Sequence, residues 1–106
     1  MSSNFINVTS KNVGTSNVEV YLATSKAILI GCNISNVTGS IVPVDIILRK
    51  NNEDIYIKKQ LRVSNGSSEE IMKGNKIVVD VNDSIIVKGY VENSLDVILS
   101  LLTGVA

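Results

Sequence analysis

The residues equipped for chemistry fall in four short stretches. "GCNISNVTG" (31–39) carries the single cysteine, Cys32, and two N-x-[ST] triplets, at Asn33 and Asn36. "DVNDS" (80–84) spaces Asp80, Asn82 and Asp83 like the oxygen donors of a short calcium loop. Glu69 and Glu70 are adjacent carboxylates. Lys58, Lys59 and Arg62, with Arg49 and Lys50 across a turn, gather positive charge around Tyr56.

Each stretch has a plainer role. A nucleophilic thiol needs an activating base or positive field, and Cys32 sits among Ile and Leu, where it is expected to fill core. Calcium takes six or more oxygens; "DVNDS" supplies about half of them, so a turn is the better reading. Adjacent carboxylates point to opposite faces of a strand and make a poor acid–base pair. Lysines along an edge strand discourage unwanted pairing. The basic patch is therefore expected to be a solvated edge rather than a seat for phosphate. Further N-x-[ST] triplets occur at Asn7, Asn65 and Asn82 in a chain rich in Asn, Ser and Thr. The opening "MSSNFINVTS" lacks the basic and apolar regions of a signal peptide, so glycosylation is not expected.

The totals narrow the function further. The chain has 106 residues, enough for a single domain with its own core. Ten basic residues balance ten acidic ones. That balance argues against a nucleic-acid footprint and an electrostatic membrane anchor. Histidine is absent, which removes Ser-His and Cys-His catalysis and the common zinc sets. The expectation is a protein that is not an enzyme and needs no cofactor or metal.

The elements around these residues read as strands. Val and Ile form short runs separated by Gly, Asn, Asp and Ser, with no helical period and no internal repeat. Strands are expected at 4–9, 17–23, 26–35, 40–50, 55–63, 69–72, 76–81, 84–91 and 94–104. This spacing implies an all-β fold, an antiparallel β-sandwich of about eight strands for which a jelly-roll-like closure is one solution. Residues 1–106 form one domain, with 1–16 as an extended N-terminal arm. Strict alternation turns Ile28, Ile30, Cys32 and Ile34 inward in one strand. It turns Val18, Val20 and Leu22 inward in another. Pro43 marks an edge or a bulge, and Gly31 and Gly89 mark bulges or close backbone approaches.

Several strands are apolar on both faces. Leu29, Ile47, Ile86, Ile98 and Leu102 all oppose the faces assigned to the core. Either other parts of the chain cover them, or they line an interface in a homo-oligomer.

The segments 30–39, 44–48, 76–79, 82–87 and 96–101 resemble, in order and turn grammar, small virion structural β-sandwich proteins of tailed bacteriophages, familiar from marine phages with AT-rich genomes. The shared pattern runs from an (I/V)-G-x-x-(I/V)-x-N-x-T-G strand and turn to a closing D-V-x-x-S-x-L strand. Where those proteins carry Gly-Asp, this chain has Asn82-Asp83, and Asn can adopt the same left-handed conformation. The resemblance implies a non-enzymatic structural component of a virion, assembled in the host cytoplasm. Its place would be the head–tail neck, the tail or the capsid surface. Its partners would be copies of itself and other virion proteins, without nucleic acid or membrane. The alternative is a carbohydrate- or receptor-binding module. Tyr21, Tyr56 and Tyr90 would then supply the stacking surfaces, since the chain has no Trp.

Overall fold

The computed structural model describes residues 4–104. Among them are nine strands: β1 (Asn4–Val13), β2 (Val18–Leu22), β3 (Ala27–Asn36), β4 (Val42–Lys50), β5 (Glu53–Val63), β6 (Ser68–Glu70), β7 (Ile77–Val79), β8 (Ser84–Gly89) and β9 (Leu95–Thr103). One sheet runs β1-β9-β3-β6, with β7 also on β3, and the other runs β2-β8-β4-β5. All observed pairings are antiparallel.

The topology is a long hairpin rolled up. The chain turns between β4 and β5, which pair; β3 then meets β6 and β7, β2 meets β8, and β1 meets β9. Rolling adds the β3–β9 and β4–β8 pairings that complete each sheet. This is a jelly roll, an all-β sandwich in which β6 and β7 share one strand position. Turn chemistry fixes the fold-back point. Asn51 and Asn52 adopt φ of 53° and 64°, the left-handed pair that a two-residue hairpin turn demands.

The core lies between the sheets. Leu29, Cys32 and Ile34 of β3 and Val97, Leu99 and Leu101 of β9 face Val42, Val44 and Ile46 of β4 and Ile85 and Val87 of β8. Two bulges reset the alternation expected from sequence. In β3 the register slips between Leu29 and Gly31. Ala27 and Leu29 therefore point inward ahead of it, and Ile28 and Ile30 lie outside the core. In β2 a slip between Glu19 and Tyr21 lets Tyr21 pack on the core and leaves Leu22 exposed.

The punctuating residues are placed by backbone geometry. A Cβ on Gly89 would lie 3.0 Å from Leu95 Cδ1 and 3.1 Å from the Gly14 carbonyl, so this is a close approach. Pro43 lies in a strand with a neighbour on each side, but pairing with β8 begins only at Val44. Its missing N–H therefore costs no bond on that side. Asn82 has φ of 75°, as its place in the turn requires. The residues expected to form an arm are, over Asn4–Val13, an edge strand on β9; residues 1–3 lie outside the described region.

Candidate assembly surfaces

For the five residues apolar on the outer faces, with an interface or cover by the chain itself as the two readings, the structure gives different answers. Leu29 is fully buried in the core, because the Gly31 bulge inverts the phase of β3 ahead of it. Ile47 and Ile86 do point away from the core, facing each other across β4 and β8, yet they are only 2% and 1% exposed. Their flanking positions by register are Glu19, Tyr56, Arg49 and Lys88. Long polar side chains at such positions cover apolar surface with their stems. For these three residues the chain itself provides the cover, which removes Leu29, Ile47 and Ile86 from the candidate interface.

Ile98 and Leu102 do lie on the outer face of the β1-β9-β3 sheet. Leu102 belongs to a continuous apolar row. By register Phe5 opposes Leu102, Leu102 opposes Ile28, and Ile28 opposes Val78. With strands about 4.8 Å apart, the row spans about 14 Å across β1, β9, β3 and β7. Phe5 is 76% exposed and Val78 50%, and none of the four residues belongs to the core. Ile98 stands apart, 42% exposed between Thr9 and Asn33. Sequence reasoning missed Phe5, Ile28 and Val78, because they become neighbours only through the registers of three strand pairs.

The other stretches with chemical potential are engaged structurally. The Lys50 ammonium donates to Asp80 Oδ2 at 2.9 Å and to Asp83 Oδ2 at 2.8 Å. A tethered cation thus neutralises the acidic loop that resembles a calcium site. These bonds raise the Lys50 pKa, and the bond to Lys50 lowers that of Asp80. Among the described residues no cluster of His, Cys, Asp or Glu has the arrangement of a metal site.

Glu70 does more than meet solvent. Its Oε2 accepts from the backbone N–H of Cys32 at 3.0 Å and of Met72 at 2.9 Å. The carboxylate takes the place of a strand carbonyl where the chain leaves β6. Cys32 is wholly buried, and its thiol pKa is pushed up to about 12 by burial, then by the nearby Glu70 charge. Asn36 is also buried. Its amide donates to the Ser40 and Val63 carbonyls and its oxygen accepts from Thr38, so this triplet is a structural device.

The basic patch disperses. Arg49 forms a two-bond pair with Asp54, and Lys50 is committed to Asp80 and Asp83. Lys59 lies 4.4 Å above the Tyr56 ring and Lys88 4.7 Å above the Tyr90 ring. The Tyr90 hydroxyl donates to buried Asp45, whose other oxygen accepts from Gln60 N–H. Tyr21 packs on the core. A ring face that would stack on a sugar is thus occupied by lysine at Tyr56 and at Tyr90. A cleft of about 170 Å³ opens between the free edges of β5 and β7, lined by Ile57, Lys58, Ile71, Met72, Asn75 and Ile77.

No family model matches the chain, and no curated protein sequence matches it. Among solved structures, a chain from work titled "Bacillus endospore appendages form a novel family of disulfide-linked pili" superimposes with a TM-score of 0.62. That match has 13% identity and covers 99% of this chain and 88% of that one. The nucleoplasmin-like N-terminal domain of Drosophila FKBP39 gives a TM-score of 0.48 at 9% identity, covering 98% and 92%. The pilus likeness establishes a shared fold; the second is too low to bear on function.

Proposed function

We propose that this chain is a non-enzymatic structural subunit that assembles with copies of itself through the outer face of the β1-β9-β3 sheet. The observation that carries this reading is the row Phe5–Leu102–Ile28–Val78. An antiparallel sheet facing water ordinarily carries polar residues on its outer face, and a contiguous apolar stripe marks an interaction surface. The phage resemblance suggests the setting: a virion part at the head–tail neck, on the tail or on the capsid, in contact with a larger virion protein. The pilus of like fold is disulfide-linked. With its single cysteine in the core, this chain would join its copies without disulfides.

Light scattering on the purified protein at micromolar concentration tests the reading. The parent should be oligomeric, and Leu102→Asp or Val78→Asp should shift it to monomer while the far-ultraviolet strand signal stays. A parent that remains monomeric at all accessible concentrations would defeat it.

A further inference from the structure

The N-terminal strand is held differently from the rest of the sandwich. Of the residues of β1, only Val13 is fully buried, and only Val8 besides it packs on the core. Among the described residues its one strand partner is β9. Side-chain hydrogen bonds to β9 are few among the described residues: Ser100 Oγ donates to Asn7 Oδ1 at 3.1 Å, Thr103 Oγ1 donates to the Asn4 carbonyl at 3.3 Å, and at the base of the strand Asn12 N–H donates to Asp96 Oδ1 at 3.0 Å. Such a segment opens locally at much lower cost than the core strands.

The point where this looseness ends is sharp. The Val13 carbonyl accepts from Ser94 N–H, and the Gly14 carbonyl from Gly89 N–H. Thr15 donates from its backbone N–H and from its hydroxyl to Glu92. Immediately before this anchor, the register with β9 slips between Ser10 and Val13, and Asn12 takes φ of 58°. The chain is thus pinned at 13–15, kinked at 11–12, and continues as an arm over 4–10 that is about 23 Å long at about 3.3 Å per residue.

We propose that β1 is an exchangeable strand, and that the edge of β9 accepts β1 from a second copy of the chain. The exchanged contacts are those already seen within one chain: Phe5 on Leu102, Ile6 on Leu101, Asn7 on Ser100 and Val8 on Leu99. Exchange of an identical element creates no new interface chemistry, which makes it a low-cost route to association. It also supplies a linkage between copies that needs no cysteine. The inference rests on the self-assembly reading above and adds, to contact through the sheet face, a strand shared between copies.

The test uses the Asn7–Ser100 pair, whose side chains touch across β1 and β9. On a Cys32→Ala background, purified Asn7→Cys and Ser100→Cys proteins are unfolded together, refolded as a mixture and oxidised. Exchange predicts a mixed, chain-to-chain disulfide on a non-reducing denaturing gel, in the share of pairs that combine one variant with the other. The double variant Asn7→Cys/Ser100→Cys should likewise give cross-linked dimers or ladders. Light scattering and melting curves run alongside verify assembly and folding. A double variant whose disulfides all close within one chain, inside an assembly of undiminished size, overturns exchange and leaves the self-assembly reading standing. The same internal closure in a monomer overturns both.

Discussion

Lys50 and Asp83 lie 33 residues apart in the chain, yet the Lys50 ammonium sits 2.8 Å from Asp83 Oδ2. The Asp83 side chain is only 5% exposed, and its Oδ2 also accepts from Asp80 N–H at 3.0 Å. The pair ties the end of β4 to the turn that precedes β8. Replacing Lys50 by Met leaves a nearly buried carboxylate without its cation, the costly way to break such a pair. The variant should melt several degrees below the parent by circular dichroism. With the ammonium gone, the oxygens of Asp80 and Asp83 are free for a divalent ion. Calcium at about 1 mM, the weak end of protein calcium sites, should then raise the melting temperature of Lys50→Met and leave that of the parent unchanged.

The acid limb of stability follows from three carboxylates. Bonds from Arg49 lower the Asp54 pKa, those from Lys50 lower Asp80, and those from Thr15 lower Glu92. A carboxylate whose folded pKa is depressed contributes its full stabilisation above its unfolded value. It loses that contribution as pH falls through the folded one. With ordinary values of about 3.9 for Asp and 4.3 for Glu, the melting temperature should be flat near neutrality and fall progressively below about pH 4.5. The Arg49–Asp54 and Lys50–Asp80 contributions are exposed ion pairs that salt should weaken, whereas that of Glu92 rests on uncharged donors of Thr15 and should persist. Thr15→Val should flatten the part of the fall that belongs to Glu92.

The thiol of Cys32 should be silent in the folded protein. Its pKa is pushed up to about 12 and its side chain is buried, so thiolate is scarce and shielded at neutral pH. A thiol reagent such as Ellman's should titrate about no cysteine in native protein and one per chain once the fold is melted. Fast labelling of the native state would show that β3 opens readily.

How much of this was legible beforehand depended on the range of the interaction. Strand positions and turns are local, and the Asn51–Asn52 turn and the positive φ at Asn82 appear where turn chemistry put them. The inward phase of Val97, Leu99 and Leu101 is local too. The phase of β3 was lost at one point. Gly31 signals a bulge, but strict alternation continued through it puts Ile28 inside and Leu29 outside, the reverse of what the slip between Leu29 and Gly31 produces. The apolar row was beyond reach for a different reason. Phe5 and Val78 meet Leu102 and Ile28 only when β9 and β3 are central in one sheet, and strand order is a global property. Lys50 likewise read as part of a basic patch because nothing local announces Asp83.

Gly89 offers the sharpest check on packing. It sits in β8 beside the segment that crosses from β1 to β2, and its N–H donates to the Gly14 carbonyl at 2.8 Å. A methyl group there would meet that same carbonyl at 3.1 Å and Leu95 Cδ1 at 3.0 Å. Leu95 is wholly buried and has little room to yield, and the carbonyl is backbone. Gly89→Ala should therefore destabilise by about 1–3 kcal/mol, the range for overpacking a filled site. At Gly66 the cause differs: φ is +67° and nothing lies within 4 Å of a Cβ. Gly66→Ala should cost about 1 kcal/mol, the backbone penalty alone. Urea denaturation of the two variants beside the parent measures both. Equal costs would show that the crossing at Gly14 relaxes around an added methyl, and that the anchor next to the β1 hinge is softer than its hydrogen bonds imply.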